Sequence, residues 1–245
     1  MFTLLYDYFL HIVDFFFPSY CINCGCLISY KDDCLCKECV KKIDIIFNEC
    51  EVCSGELIDG HCAICDSRKI FFDKNIAVTE YNGVVKEILH SFKFNKRKRL
   101  YTHLSSLAFD KISRINGTID AVTSVPINRK KRWERGFNQS ELIARYISKK
   151  IKVDYVPHLK EKYNFKAQKK LGYRDRFINI LDRYIVKNEK ILKGKNILII
   201  DDIFTTGATI NECARILKSF GAEKVYSLTI ARAAIKRVDK FSVLV

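Results

Sequence analysis

No stretch of this 245-residue chain supplies the roughly 20 uninterrupted apolar residues that a membrane-spanning helix needs. The nearest approach is the opening "MFTLLYDYFLHIVDFFF", residues 1–17, which Asp7, His11 and Asp14 interrupt. It also lacks a basic leader and a small-residue cleavage site, so it does not read as a secretory signal, and a cytoplasmic location is expected. The three polar residues recur at helical spacing, which predicts an amphipathic helix packed on its own protein; a peripheral contact with the inner face of the membrane is the second use of such a helix. Internal repeats and low-complexity linkers are missing. Proline (3) and glycine (10) are scarce, and the five histidines, at 11, 61, 90, 103 and 158, share no motif. Acidic residues are few beside basic ones, 28 against 43, and the net charge of +15 makes a positive field that attracts polyanions such as nucleic acid or phosphorylated small molecules. At 48% hydrophobic residues the composition is that of a folded domain with one sizeable core plus a small module.

What is abundant is cysteine, and it is confined. Ten of the eleven cysteines lie from Cys21 to Cys65. A reducing compartment argues against a disulfide framework. Four C-x-x-C pairs stand there: Cys21/Cys24, Cys36/Cys39, Cys50/Cys53 and Cys62/Cys65. Each such turn points two thiolates at one ion, and two turns complete the four-sulfur tetrahedron that zinc accepts, so two structural zinc sites are expected. Eleven residues separate Cys24 from Cys36 and eight separate Cys53 from Cys62, which suits two consecutive ribbons; interleaved pairing satisfies the same spacing. Cys26 and Cys34 are surplus, with Cys34 a substitute for Cys36 and His61 a weaker substitute for a neighbouring thiol. With so few large apolar side chains, these residues fold only with metal, since zinc binding energy is folding energy here.

After "SRKIFFDK" the grammar changes, which places a boundary near residues 68–75. "NIAVTEY" alternates like a strand, "GVVKEILHSFKF" carries Val85, Ile88, Leu89 and Phe92 on one helical face, and "LYTHLSSLAFDKI" reads as a further helix. "DAVTSVP" is an apolar strand, "FNQSELIARYISKKI" a helix and "VDYVPHL" a strand. Residues 163–180 have no periodicity. A strand "NILII", a helix "GATINECARILKSF" and a strand "KVYSLTIA" follow. Such alternation predicts an α/β domain, a parallel sheet covered by helices on both faces, with ligand sites at the strands' carboxyl ends.

At one such end stands "ILIIDDIFTTGAT", residues 197–209. The free N–H groups at the start of the following helix, together with its dipole, favour an anion. Gly207 allows close approach, and Thr205, Thr206 and Thr209 add hydroxyl donors. Asp201 and Asp202 cannot bind that anion; they suit sugar hydroxyls or Mg²⁺. A phosphorylated ribose answers both requirements. A second basic segment, "VPINRKKRWERGFNQ", ends a strand and carries Arg129, Lys130, Lys131, Arg132 and Arg135 with Gly136 at a turn, which suits a second phosphate group. A third basic run, "KFNKRKR" at residues 93–99, reads as an extension of a groove for a phosphodiester backbone, with Phe92, Phe94 and Tyr101 nearby for stacking.

The segment with Asp201, Asp202, Thr205, Thr206, Gly207, Ala208 and Thr209 resembles the phosphoribosyl-diphosphate signature of type I phosphoribosyltransferases. "SVPINRKKRWERGFNQSELIAR", "KAQKKLGYRDRFIN", "EYNGVVKEILHSFKF" and "SLTIAR", with the double zinc ribbon ahead of them, narrow the resemblance to the ComF family, the ComFC and GntX group. It covers nearly the whole chain: an N-terminal helix over residues 1–17, a double zinc ribbon over 18–70 and a phosphoribosyltransferase-like domain over 75–245.

The resemblance implies that phosphoribosyl diphosphate binds with Mg²⁺, Asp201 and Asp202 taking the ribose hydroxyls, Thr205, Thr206, Gly207, Ala208 and Thr209 the 5′-phosphate, and Arg129, Arg132 and Arg135 the diphosphate. Residues 163–180 resemble the segment that closes over the site in such enzymes; Gln168, Arg176 and Asn179 match the family's positions, whereas Lys166-Ala167 stand where Thr-Pro is usual. A hood over the acceptor base would be built from residues 76–100. Two uses follow from the family's association with competence: a phosphoribosyltransferase, or a non-enzymatic protein of the same fold that handles single-stranded DNA, or senses the sugar diphosphate, among the competence-machinery proteins during natural transformation.

Overall fold

The computed structural model describes residues 16, 18–29, 34–46, 50–94, 100–162, 181–187 and 192–233. All but residue 16 of the expected helix over residues 1–17, most of "KFNKRKR" and the expected closing segment with Gln168, Arg176 and Asn179 lie outside the described residues.

The cysteine-rich region contains little regular structure. A two-stranded ribbon pairs β1 (Ser19–Tyr20) with β2 (Leu27–Ile28), and a single helical turn, α1 (Lys37–Lys41), follows, capped by the Cys36 thiol. Such short elements cannot bury enough apolar surface to hold themselves together, which fits a metal-dependent module.

The larger domain begins with β3 (Lys74–Glu80), α2 (Gly83–Phe94) and α3 (Leu100–Phe109), then a 3-10 turn (Ile112–Arg114), β4 (Ala121–Ser124), α4 (Arg129–Arg135) and α5 (Gln139–Ile151). A hairpin of β5 (Leu159–Glu161) and β6 (Tyr184–Val186) precedes β7 (Asn196–Phe204), α6 (Ala208–Ser219) and β8 (Lys224–Arg232). The main sheet has four parallel strands in the order β3-β8-β7-β4. Period-2 alternation sends its side chains to opposite faces. Val122, Leu198, Ile200 and Leu228 pack toward α2, α3 and α5, while Ile197, Ile199 and Val225 pack toward Ile210, Cys213, Ala214 and Leu217 of α6. Helices therefore cover both faces, and the central strands read as unbroken apolar runs because both their faces are buried. Each fully buried Ile, Leu or Val of these strands contributes roughly 1.5–3 kcal/mol.

Two expectations need correction. "VDYVPHL" is not a sheet strand: Tyr155 makes an isolated bridge with Val122, and the next strand starts only at Leu159. The ladder stops at Val156, whose N–H donates to the Val122 carbonyl at 2.8 Å: past Pro157 the His158 N–H turns back to the Val156 carbonyl at 2.8 Å instead of reaching on to a β4 carbonyl. The strand expected to stop at Ile200 runs on to Phe204, because β8 is long enough to pair with it through Asp201↔Thr229 and Phe204↔Arg232. The acidic pair is thus held in register by the sheet.

Candidate functional site

Gly207 sits at the junction of β7 and α6 with a φ of 74°, a left-handed conformation that favours glycine, and a Cβ at this position would overlap the Phe204 ring. Phe204 and Gly207 thus fix each other. Gly207 has no side chain to cap α6. The buried Thr206 hydroxyl accepts from the Ala208 N–H at 3.3 Å, and Thr209 faces a cavity at the sheet's carboxyl edge. Thr209 lies in the first turn of this 12-residue helix, whose N-terminal end carries partial positive charge; Thr205, Thr206, Gly207 and Ala208 do not line the cavity.

Asp201 and Asp202 line the same cavity, of about 200 Å³. Asp201 accepts from the Ser140 hydroxyl and from the Asp202 N–H, both at 2.9 Å. Burial, with the neighbouring Asp202 charge adding to it, pushes its carboxyl up to about 7. Asp202 pairs with Lys93 at 2.7 Å, both side chains largely shielded from solvent. The two carboxylates therefore differ: Asp202 is paired with a lysine, and Asp201 is buried with its carboxyl pushed up.

Lys131, Arg135 and Arg183 line the same cavity. Burial, then the charges of Arg183 and Arg135, lower the Lys131 ammonium below its usual range. Mutual repulsion of this kind is relieved by an anion. Arg183, immediately before β6, reaches the cavity and pairs with the buried Glu161 of β5 at 3.0 Å.

The basic run divides between two surfaces. Asn128 caps α4, its side chain accepting from Lys131 N–H at 2.8 Å, and Gly136 ends it at a φ of 79°. Helical winding then turns Lys131 and Arg135 into the acidic cavity, while Arg129, Lys130 and Arg132 line a separate groove of about 620 Å³ with Lys160, Lys162 and Lys187. Arg132 is tied to Glu141 at 3.2 Å. Pro126, Ile127 and Glu161 border both spaces, so the groove adjoins the cavity. Of the sequence-derived phosphate ligands, Arg135 and Thr209 line the cavity, and Arg129 and Arg132 line the groove. Sequence reasoning missed Lys93, Ser140, Arg183 and Glu161 as site residues. Only Lys93, first in its basic run, carried any signal.

Two groups of four thiols are brought together among the described residues, with all sulfurs of a group within 4.8 Å: Cys21, Cys24, Cys26 and Cys36, then Cys50, Cys53, Cys62 and Cys65. Within them, Cys24 and Cys36 lie 3.7 Å apart, Cys50 and Cys65 3.8 Å, and Cys53 and Cys62 3.4 Å. A tetrahedral zinc with bonds of roughly 2.3 Å separates its sulfurs by about 3.8 Å, so donor type and spacing both fit that ion. The grouping is consecutive rather than interleaved. In the first group Cys26 stands where the spacing favoured Cys39: Gly25, at a φ of 72°, turns the chain so that Cys21 N–H bonds the Cys26 carbonyl at 2.8 Å. Cys39 stays buried alongside, accepting from Asn23 at 3.3 Å.

Comparison with known proteins agrees with this architecture. The Phosphoribosyl transferase domain family matches residues 137–244, which include α5, β7, the loop and α6. Competence protein F of Haemophilus influenzae is 27% identical over 232 residues, covering 89% of this chain and 99% of that protein. The DNA utilization protein YhgH of Escherichia coli strain K12 is 25% identical, covering 88% and 97%, and the competence protein ComFC of Bacillus subtilis is 28% identical, covering 82% and 85%. No helix among the described residues is long and apolar enough to cross a membrane. A parallel sheet with a phosphoribosyl transferase domain match, two thiol groups ahead of it that fit a zinc ribbon, and relatives of matching length make this chain similar over most of its length to the competence protein F, YhgH and ComFC proteins.

Proposed function

We propose that this protein binds phosphoribosyl diphosphate with Mg²⁺ in the cavity of about 200 Å³ and acts as a phosphoribosyltransferase. The observation that supports it most is the meeting, inside one small space, of a paired acidic dipeptide on a strand with Lys131, Arg135 and Arg183, and with Thr209 from the first turn of α6. Few ligands other than a phosphorylated sugar demand both. In this reading the loop from Thr205 to Thr209 takes the 5′-phosphate through backbone N–H groups and hydroxyls. Asp201 and Asp202 accept from the ribose hydroxyls, Ser140 and Lys93 holding them in place. Lys131, Arg135 and Arg183 stabilise the departing diphosphate. Bound Mg²⁺ would offset diphosphate charge, and the carboxylate pair is a donor set that a hard cation accepts, directly or through water. Transfer from C1 passes through oxocarbenium-like character, so orientation and charge stabilisation supply the catalysis and no covalent nucleophile is required.

The experiment is titration calorimetry with phosphoribosyl diphosphate and Mg²⁺ on the wild type and on Asp201→Ala/Asp202→Ala. The wild type should bind and the double variant should lose most of that affinity. Equal affinity would eliminate the site.

A second reading, not exclusive of the first, concerns the adjoining groove. Its six cations, Arg129, Lys130, Arg132, Lys160, Lys162 and Lys187, suit a phosphodiester backbone, as the names of the competence and DNA utilization relatives would suggest for single-stranded DNA.

A further inference from the structure

The two thiol groups attach to opposite faces of the sheet. Cys21 and Cys39 join the core beneath α2, α3 and α5, whereas Cys50, Cys53 and Cys62 join the core beneath α6, which also holds Phe204. Between the second group and the glycine loop runs an unbroken set of contacts. The Cys53 carbonyl accepts from the buried Arg232 Nη1 at 2.7 Å. The Arg232 guanidinium lies 4.8 Å from the centre of the Phe204 ring, the same ring that occupies the space a Cβ at Gly207 would need. A Cβ at Gly55, two residues after Cys53, would fall on the Arg232 guanidinium, so the knuckle backbone and this arginine are also in close contact.

A second route begins three residues after Cys65. Arg68 Nη2 donates to the Thr206 carbonyl, within the loop itself. Asn211, on the first turn of α6, donates to the Lys69 carbonyl at 3.1 Å and accepts from the Phe71 N–H at 2.7 Å. Phe72 meets Phe204 edge-on, ring centres 6.0 Å apart. One small module therefore contacts the loop's backbone, its packing aromatic and the helix it opens into.

We propose that the second cysteine group, when it holds its metal, sets the conformation of the glycine loop through Arg232 and the segment 68–72, and that losing this metal loosens the loop and weakens its hold on a phosphate. The last clause rests on the phosphoribosyl diphosphate reading above; the mechanical coupling does not. Arg68 and Arg232 are positioning residues: they touch the loop from behind, away from the cavity. A metal-dependent knuckle keeps Cys53 and the residues after Cys65 in place, and local unfolding of that knuckle would release both routes at once. The first group, on the opposite face, has no such path to the loop among the described residues.

The test is hydrogen exchange by mass spectrometry on the full-length protein, following the amides of residues 204–212, with zinc content measured on each sample. Arg232→Leu should keep both zinc ions yet exchange these amides about tenfold faster, with Arg68→Gln in the same direction. Cys53→Ser should lose one zinc and show the same effect; Cys24→Ser should lose one zinc and leave the loop as in the wild type. If Cys53→Ser does not fold, Arg232→Leu decides. Wild-type exchange in Arg232→Leu and Arg68→Gln, or equal loosening in Cys24→Ser, would overturn the proposal. Affinity for ribose 5-phosphate, measured alongside, should fall about tenfold in Arg232→Leu. Failure of the wild type to bind ribose 5-phosphate would refute the ligand assignment while the exchange comparison still judged the coupling.

Discussion

Asp201 combines two roles that conflict. It is hemmed in by Asp202 and apolar strand residues, and burial followed by the Asp202 charge raises its carboxyl from 3.8 to about 7. The folded state therefore binds this proton more tightly than the unfolded chain. Between the two values the unfolded chain gives up the proton and the folded state keeps it, so stability from this group falls as pH rises from about 4 to about 7 and is level beyond. Asp201→Asn removes the liability. In denaturant titrations the variant should match or slightly exceed the wild type near pH 4 and gain on it steadily to about pH 7. A difference independent of pH would show that Asp201 ionises normally. Ligand affinity should move the opposite way, improving as pH rises through 7 in the wild type, because sugar hydroxyls and Mg²⁺ both need the carboxylate. The variant trades function for stability, as expected of a strained site. "ILIIDDIFTTGAT" was legible because its chemistry is local: a strand, two acids and a helix start within thirteen residues. Lys93 and Ser140 were not, because each reaches the acids across a large sequence separation, and only tertiary packing makes them neighbours.

Helix α4 shows how an element reassigns residues that look equivalent in sequence. A run of five cations reads as one anion site when no secondary structure is imposed on it. Once Asn128 and Gly136 cap seven residues as a helix, positions four apart share a face, and the run divides into Lys131 and Arg135 on one side and Arg129, Lys130 and Arg132 on the other. Gly136 was legible as a turn, yet the density of charge hid the Asn128 cap and the helix between them. The two faces should respond separately. Lys131→Ala should weaken phosphoribosyl diphosphate binding by about tenfold or more, each charge-assisted contact being worth roughly 1.5–3 kcal/mol, with little effect on single-stranded DNA. Arg129→Glu with Lys160→Glu should lower affinity for single-stranded DNA and flatten its salt dependence, leaving the sugar diphosphate nearly untouched. Fluorescence anisotropy at several salt concentrations, beside calorimetry, reads both. If the groove variant bound DNA as the wild type does, the second reading would fail. The strand expected at "VDYVPHL" failed for a comparable reason: alternation was right for the bridge at Tyr155, and a tight turn over Pro157 then drew the His158 N–H out of the ladder.

At the scale of the molecule, two kinds of core meet. The sheet domain is held by apolar strands buried on both faces, and its pattern was readable because buried parallel strands leave long apolar runs in sequence. The cysteine region has almost no regular structure among the described residues, and it brings its thiols together in two groups that could hold zinc. Consecutive grouping could not be read from spacing, since interleaved pairs would satisfy the same intervals; it is decided by which face of the sheet each ribbon packs against. That packing also ties the second group to the loop, a relation invisible in a sequence where Cys53 and Arg232 lie 179 residues apart. The whole account turns on what fills the space between the acidic pair and the α4 cations. A crystal structure of the protein with phosphoribosyl diphosphate and Mg²⁺ measures this directly. The account predicts the 5′-phosphate on the backbone N–H groups of the Thr205 to Thr209 loop, the ribose hydroxyls on Asp201 and Asp202, and the diphosphate against Lys131 and Arg135. A ligand seated instead along Arg129 and Lys160, with the acidic pair untouched, would contradict it.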